Sequence, residues 1–258
     1  MNAILLPFLS GEAEDPMALI FHHVLDHPMG PLGITKYTWN MWIAAGILLL
    51  MLWRVDKSKT IPEGKLRGFI ELIYHFIRDE IVYPLMGEKH GRTFLPFFVT
   101  LFSFILTLNI VGMMPIPVIG GASTSNIYLT GALAFCTFLV SVVGGIWYNG
   151  PIGFIKGFVP SGVPFYVLPI LFPIEVLGFC IKHAVLAVRL MANMLAGHLV
   201  LGSFLGLIFI YKNSLAVGGG VGLALFVSLL EALVAFLQAY VFVLLATLFV
   251  GGAVHPDH

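Results

Sequence analysis

The last two long apolar stretches of this 258-residue chain contain ionisable side chains, which ordinarily avoid lipid. A charge inside a membrane is costly, and where one occurs it usually marks a transport pathway or faces a partner charge. Groups of this kind can pass protons from one to the next. The ionisable residues are Glu175, Lys182, His183, Arg189, His198 and Glu231, and they are accompanied by the amides Asn193 and Gln238.

Arg189 is the most informative of these residues. It lies near the middle of the apolar run from Phe165 to Tyr211, so its guanidinium does not easily reach a membrane surface. The guanidinium stays protonated in almost any setting, and therefore needs an acidic partner or a water-filled cavity. Two interpretations are open. Arg189 forms a structural ion pair with Glu175 or Glu231, or it is a fixed charge that faces a carboxylate on another subunit.

Helical spacing separates the outward-facing residues from the others. At about 100° per residue, Glu175, Lys182 and Arg189 lie seven residues apart and drift by only about 20° per step, so they form one stripe. Asn193 lies about 40° from Arg189 and shares that side of the helix.

His198 lies about 180° around the helix from Arg189 and faces elsewhere. Glu231 and Gln238 are seven residues apart in the last apolar run and share one face. His198 and Glu231 can therefore be partners between two helices. An imidazole beside a carboxylate titrates near neutral pH and can relay protons through water. A static hydrogen-bonded pair is the alternative, and the spacing does not choose between the two.

The composition excludes several classes of protein. Hydrophobic residues make up 59% of the chain and charged residues 10%, against about 25% charged in ordinary soluble domains. The excess of apolar side chains indicates a membrane protein. The formal net charge of zero gives no electrostatic reason to bind nucleic acid. The two cysteines predict neither a disulfide framework nor a metal cluster.

The hydropathy pattern predicts an all-α membrane protein with about five membrane-embedded helices in a single domain over residues 37–258. The last two runs exceed the roughly 30 Å hydrocarbon thickness, so they must tilt strongly, bend or break, with Gly202 and Gly206 as candidate break points and Gly218–Gly220 in the turn between them. The predicted spans are 37–53, 93–114, 127–148, 165–211 and 221–250.

Residues 54–92 contain eight of the 13 Lys and Arg residues, and apolar side chains recur at helical spacing. We predict an amphipathic surface helix over Glu63–Tyr83. The positive-inside rule places this segment in the cytoplasm and residues 1–36 on the outer side. His22, His23, Asp26 and His27 could ligate a metal by residue type. We interpret them as part of an exposed loop and assign no metal and no cofactor.

Three segments carry a resemblance to a known family. Leu186–His198 has an Arg, an Asn four residues later and an Ala-Gly pair before an ionisable residue. This segment closely resembles the signature of subunit a of the rotary F-type ATP synthase. Leu237–Tyr240 resembles the family's second motif, and Asn109–Pro115 resembles the segment that ends its second span. The resemblance extends from about Ile61 to the C-terminus.

The resemblance implies a function in proton transport that is coupled to ATP synthesis or hydrolysis. Arg189 would separate two aqueous half-channels and release the proton from each passing subunit of a c-ring. The chain would not be an enzyme on its own. Its partners would be the c-ring, the peripheral-stalk b subunits, the lipid bilayer and protons, in the bacterial inner membrane or alternatively the mitochondrial inner membrane.

The resemblance also implies roles for the other motif residues. Asn193 and Gln238 would support the interface with the ring, His198 and Glu231 would line the outer half-channel, and Glu175 the inner one. Some bacterial family members have Glu at the His198 position and His at the Glu231 position, an exchange that supports contact between the two. The outer entrance would include Ser125 and Asn126.

Two other functions compete with this one. A secondary ion-coupled transporter predicts internal repeats and paired broken helices, and the sequence shows neither. A structural membrane anchor leaves the cluster of ionisable residues without a role. The sequence contains no Gly-x-x-x-x-Gly-Lys-[Ser/Thr] phosphate loop, in keeping with a subunit that performs no ATP chemistry.

Overall fold

The computed structural model describes residues 28–29, 34–53, 65–114, 123–159, 164, 166–211 and 214–255. Nearly all of them are helical, which confirms the all-α fold. Two-residue strands, Pro28–Met29 and Ile34–Thr35, pair antiparallel before the first helix. The N-terminal histidines and acid considered as metal ligands lie outside the described residues. The α-helices are α1 (Lys36–Trp53), α2 (Lys65–Phe76), α3 (Tyr83–Met113), α4 (Ile127–Lys156), α5 (Leu168–Tyr211) and α6 (Ser214–Val254).

Four helical segments are long and apolar enough to cross a membrane, by length and composition: Arg67–Met113, Ile127–Lys156, Leu168–Phe204 and Gly218–Val254. The apolar part of α1, Tyr37–Met51, is shorter. Together they match the prediction of about five membrane helices. In hydrocarbon the backbone must satisfy its own hydrogen bonds, which explains why the described parts of the apolar runs are almost entirely helical.

Two predictions about glycines in the last two helices were wrong. Gly202 and Gly206 do not break α5, which is one continuous helix. Gly218–Gly220 was predicted as a turn but lies within α6, which already begins at Ser214. Glycine lowers helix propensity by only about 1 kcal/mol, less than the cost of leaving backbone groups unsatisfied in lipid. At 44 residues, α5 is about 66 Å long, so the prediction that it tilts stands.

The predicted amphipathic helix is present and continues further than expected. A short π-helix, Ile77–Val82, joins α2 to α3 and buries Ile77, Ile81 and Val82 in the core. The helical axis then changes direction at Gly87, where φ is 70° and ψ is 163°. Backbone of this kind is essentially restricted to glycine. Whether α2 lies at the membrane surface stays a prediction.

Helix α6 is the centre of the core and packs against α3, α4 and α5. Small residues on α6, including Ala235, Ala239 and Ala246, are almost completely buried and allow the neighbouring backbones to approach closely. Large side chains fill the remaining space: Phe98, Phe102, Ile105, Leu186, Leu190 and Phe242. The C-terminal end of α6 is tied to α4, because the Asn149 amide donates to the carbonyls of Ala253 and Val254 at 3.0 Å each.

Gly87→Ala tests the change of direction within the first turns of α3. We expect it to lower the free energy of unfolding by about 1–3 kcal/mol, because a Cβ is strained at this φ and ψ. The measurement is denaturant unfolding of the purified chain in detergent. Gly68→Ala is the matched control, since a Cβ at Gly68 has no neighbouring atom within 4 Å and Gly68 lies within helix α2. Equal stabilities of the two variants would contradict the expectation.

Candidate functional site

Helices α5 and α6 form an antiparallel hairpin, and among the described residues two polar side-chain contacts join them. His198 Nε2 lies 3.6 Å from Glu231 Oε1, and Asn193 Nδ2 donates to Gln238 Oε1 at 3.3 Å. The second contact thus lies five residues before the first along α5 and seven residues after it along α6. The contact between His198 and Glu231 predicted from the sequence is confirmed.

The His198–Glu231 contact is well shielded by the protein. The side chains of His198 and Glu231 are only 16% and 6% exposed. A separation of 3.6 Å is longer than a hydrogen bond, although it is within the range of an ion pair. An imidazole and a carboxylate at this distance can exchange a proton through one intervening water or after a small side-chain movement.

Gly197 makes this close contact possible. A Cβ on Gly197 would lie 2.8 Å from Glu231 Oε1 and 3.1 Å from Glu231 Cδ. The carboxyl group therefore occupies the space that any larger residue at 197 would fill. Gly197 was quoted in the sequence motif, but its steric role depends on a side chain 34 positions away and could not be recognised without the fold.

Arg189 lies on the opposite side of α5 from this pair. Its side chain is exposed, whereas Leu186 and Leu190 on either side are 1% and 0% exposed and point into the core. Large apolar residues, including Val185 and Val188, are exposed around the guanidinium. A permanent cation on an apolar outward face would be costly against lipid, so this face favours a protein partner with a negative charge.

The alternative of a structural Arg–Glu pair is not supported. Within the described residues Arg189 forms no ion pair. Glu231 is buried against His198, and Glu175 is half-buried on the outward-facing stripe of α5 with the exposed Lys182. The structure therefore separates the fixed charge from the His–Glu pair, as the helical spacing predicted.

The side chain of Gln238 links α6 to α5. Its side chain is 6% exposed, and its oxygen accepts the hydrogen bond from Asn193. Within the described residues its amide nitrogen is buried without a hydrogen-bond partner. Buried amide donors are normally satisfied, so this group is available to bond to water or to a partner.

The predicted entrance residues have local positions of their own. Asn126 caps the N-terminus of α4, where its side-chain oxygen accepts the Tyr128 backbone N–H at 2.9 Å. Ser125 is half-buried in the 3₁₀ turn Ser123–Ser125 just before it. The described contacts thus assign a structural role to Asn126, while a place for either residue in a proton path stays a prediction.

Further buried polar residues were given no role by the sequence alone. His183 is 4% exposed, with Nδ1 2.9 Å from the Phe179 carbonyl oxygen and Nε2 3.3 Å from Ser141 Oγ on α4. Asn109 on α3 and Thr124 in the 3₁₀ turn are completely buried. An amide side chain inside an apolar run is the signal that could have identified Asn109.

Comparison with known proteins gives a consistent match. Residues 38–251 match the family model described as the ATP synthase A chain. Among curated relatives, ATP synthase subunit a of Myxococcus xanthus is 41% identical over 235 residues, covering 88% of this chain and 76% of that protein. ATP synthase subunit a of Chloroherpeton thalassium is 38% identical, covering 95% and 80%. ATP synthase subunit a of Acidiphilium cryptum is 40% identical, and the match covers 84% of this chain and 86% of that protein.

Gly197→Ala tests the steric requirement beside Glu231. The added methyl group must displace the carboxyl group, and overpacking of this kind costs about 1–3 kcal/mol of unfolding free energy. Gly131→Ala on α4 is the control, because a Cβ there has no atom within 4 Å and helix propensity favours alanine. Denaturant unfolding in detergent compares the two variants. A Gly197→Ala protein as stable as Gly131→Ala would show that the carboxyl group has room to move.

Proposed function

The chain belongs to the ATP synthase A chain family, and from this premise we propose that it is the membrane subunit that guides protons past a rotating c-ring. In this function two aqueous half-channels open to opposite sides of the membrane and meet at the ring. Protons pass from one half-channel to a carboxylate of the ring, and after rotation they leave through the other. The flow drives rotation, and rotation is coupled to ATP synthesis or hydrolysis elsewhere in the complex.

The single observation that carries this proposal is the position of Arg189. An exposed guanidinium in the middle of a membrane helix, surrounded by apolar residues and without an ion pair in the described part of the chain, requires an external carboxylate. A c-ring carboxylate meets this requirement. The cation lowers the free energy of the ionised carboxylate and so favours release of its proton.

The same charge suits Arg189 to divide the two half-channels. A permanent positive charge repels a proton that approaches along water, so protons cannot pass directly from one half-channel to the other. The guanidinium does not readily lose its own proton, so it does not act as a carrier. Arg189 is therefore an electrostatic divider.

The remaining site residues divide between the two half-channels. The resemblance to the family assigns the His198–Glu231 pair to the outer half-channel, and the pair is shielded, titratable and turned away from Arg189, as a proton relay requires. Glu175, 14 residues before Arg189 on the outward stripe, is assigned to the inner one. Asn193 and Gln238 support the surface that faces the ring, and the outer entrance includes Ser125 and Asn126.

A partner assignment follows from the same surface. The outward face of α5 is assigned to the c-ring, and peripheral-stalk b subunits hold the chain against rotation. We place the complex in the bacterial inner membrane, since the matched relatives are bacterial and several helices are long enough to cross a bilayer.

A secondary ion-coupled transporter is the competing function. Such transporters bind their substrate at discontinuous helices near the membrane midplane. Helices α5 and α6 are instead continuous through Arg189 and Glu231. The continuous hairpin therefore favours a function in which this chain stays fixed while a partner moves past it.

Arg189→Ala is expected to abolish proton-driven ATP synthesis, because the divider and the counter-charge for the ring carboxylate are both lost. The measurement is the initial rate of ATP synthesis in membrane vesicles that contain normal amounts of the assembled complex. Lys156→Ala, which removes an exposed cation at the end of α4, is the control and should retain synthesis. Near-normal synthesis in Arg189→Ala would falsify the proposed function.

Exchange of the two titratable residues tests their coupling. We expect the double variant His198→Glu with Glu231→His to retain more ATP synthesis than either single variant, because it keeps one imidazole and one carboxylate in contact. The single variants place two carboxylates or two imidazoles together, which disfavours one of the charged forms. A double variant that is as damaged as the worse single variant would show that the pair does not act as a unit.

A further inference from the structure

A chain of buried hydrogen bonds reaches α6 from outside the hairpin. Thr124 Oγ1 and Asn109 Oδ1 are 3.0 Å apart, and Asn109 Nδ2 lies 3.1 Å from the backbone oxygen of Ala235. A carbonyl oxygen only accepts, so the amide nitrogen of Asn109 must face Ala235. The amide oxygen of Asn109 therefore faces Thr124, whose hydroxyl donates to it.

Ala235 lies between the two polar contacts of the hairpin. It is four residues after Glu231 and three before Gln238, so all three residues share one face of α6. Met194 on α5 and Ala235 form one buried apolar cluster, against which Met113 on α3 packs. The hydrogen bond from Asn109 thus fixes the position of α6 at Ala235, between Glu231 and Gln238.

The other end of this chain is also fixed. Ser123, next to Thr124 in the 3₁₀ turn, donates its hydroxyl to the Tyr37 carbonyl of α1 at 3.2 Å. Ser123, Thr124 and Asn109 are 0–1% exposed. The turn is held by α1, and Asn109 connects it to α6, so these groups form a strut across the protein.

We propose that Asn109, held by Thr124, is a positioning residue that sets the register of α6 so that Glu231 meets His198 and Gln238 meets Asn193. This inference rests on the proposed function, in which the first contact belongs to the outer half-channel. Asn109 acts through the backbone of α6 and not on the proton itself.

The chemistry of the strut favours positioning over proton conduction. The amide side chain of Asn109, which lies between Thr124 and α6, does not readily take up or release a proton. The chain of hydrogen bonds therefore does not conduct protons past Asn109. A displaced α6 would instead change the separation of Glu231 from His198. His198 is the titratable side chain that faces Glu231 from α5, and within the described residues no ion pair joins Glu231 to a charged group on α3 or α4.

Thr124→Val tests the strut, because valine is similar in shape and cannot donate to Asn109. The assay is proton-driven ATP synthesis by the whole complex in membrane vesicles, measured as outer pH is varied at fixed inner pH and fixed membrane potential. We expect the maximum rate to fall about three- to tenfold, in line with the loss of one buried hydrogen bond in a membrane protein. We also expect the midpoint of the dependence on outer pH to move.

Two further variants separate positioning from a general packing effect. Thr124→Ser keeps the hydroxyl and should restore both the rate and the pH midpoint. Thr130→Val removes a hydroxyl that is equally buried and that, within the described part of the chain, bonds only to the nearby carbonyls of Asn126 and Ile127. The pH profile of this variant should match that of the unmodified chain. If Thr124→Val assembles poorly, Thr124→Cys, which offers only a weak donor, takes its place in the comparison.

Two results would overturn the proposal. In one, the profile of Thr124→Val coincides with that of Thr130→Val after correction for the amount of complex. In the other, the rate falls and the pH midpoint stays in place. Arg189→Ala in the same vesicles distinguishes the failures. Loss of synthesis in Arg189→Ala with a normal profile in Thr124→Val refutes only the strut, whereas retained synthesis in Arg189→Ala refutes the function on which it rests.

Discussion

The structure depends on one constraint: a single helix must present a permanent charge on one side and a titratable group on the other, inside a region where unsatisfied charge is costly. Helix α5 meets this constraint by periodicity, since Arg189 and His198 lie half a turn apart in projection. Helix α6 then has to lie close enough to α5 for Glu231 to reach His198. The small residues on α6 and the missing side chain at Gly197 provide that proximity.

Close packing of the hairpin makes the surrounding helices necessary. Hydrophobic burial does not drive helices together in lipid, so association relies on fitted packing and on hydrogen bonds, each of which contributes only about 0.6–1.7 kcal/mol. Helix α6 is accordingly held at several points along its length. Asn149 satisfies its last carbonyls, Asn109 bonds to its middle at Ala235, and Gln238 connects it to α5. A small change at any one of these points is therefore expected to shift register more than it unfolds the protein.

Much of this arrangement could be predicted from the sequence, because it follows from helical periodicity. The outward stripe of Glu175, Lys182 and Arg189 and the contact of His198 with Glu231 needed only residue spacing and the antiparallel order of two consecutive helices. The errors arose where local and environmental effects compete. Gly218–Gly220 indicates a turn in water, but within an apolar run the backbone remains helical. The bonds of Asn109 to Thr124 and to Ala235 on α6 could not be recognised from the sequence, since the second depends on three-dimensional packing across 126 positions.

The distribution of polar groups in the hairpin also bears on how a proton path can be confined. The buried polar contacts at and next to α6 include one titratable pair, His198 and Glu231. The others are made by amides and a hydroxyl. Amides and hydroxyls satisfy buried hydrogen bonds without changing charge over the physiological pH range, so they hold helices in place but do not hold protons. Of these contacts, the titratable pair is the one that can store a proton for transfer. In the proposed function, placing that pair on the side of α5 away from Arg189 keeps the stored proton out of the strongest repulsion of the guanidinium, and leaves the cation free to act on a carboxylate of the ring.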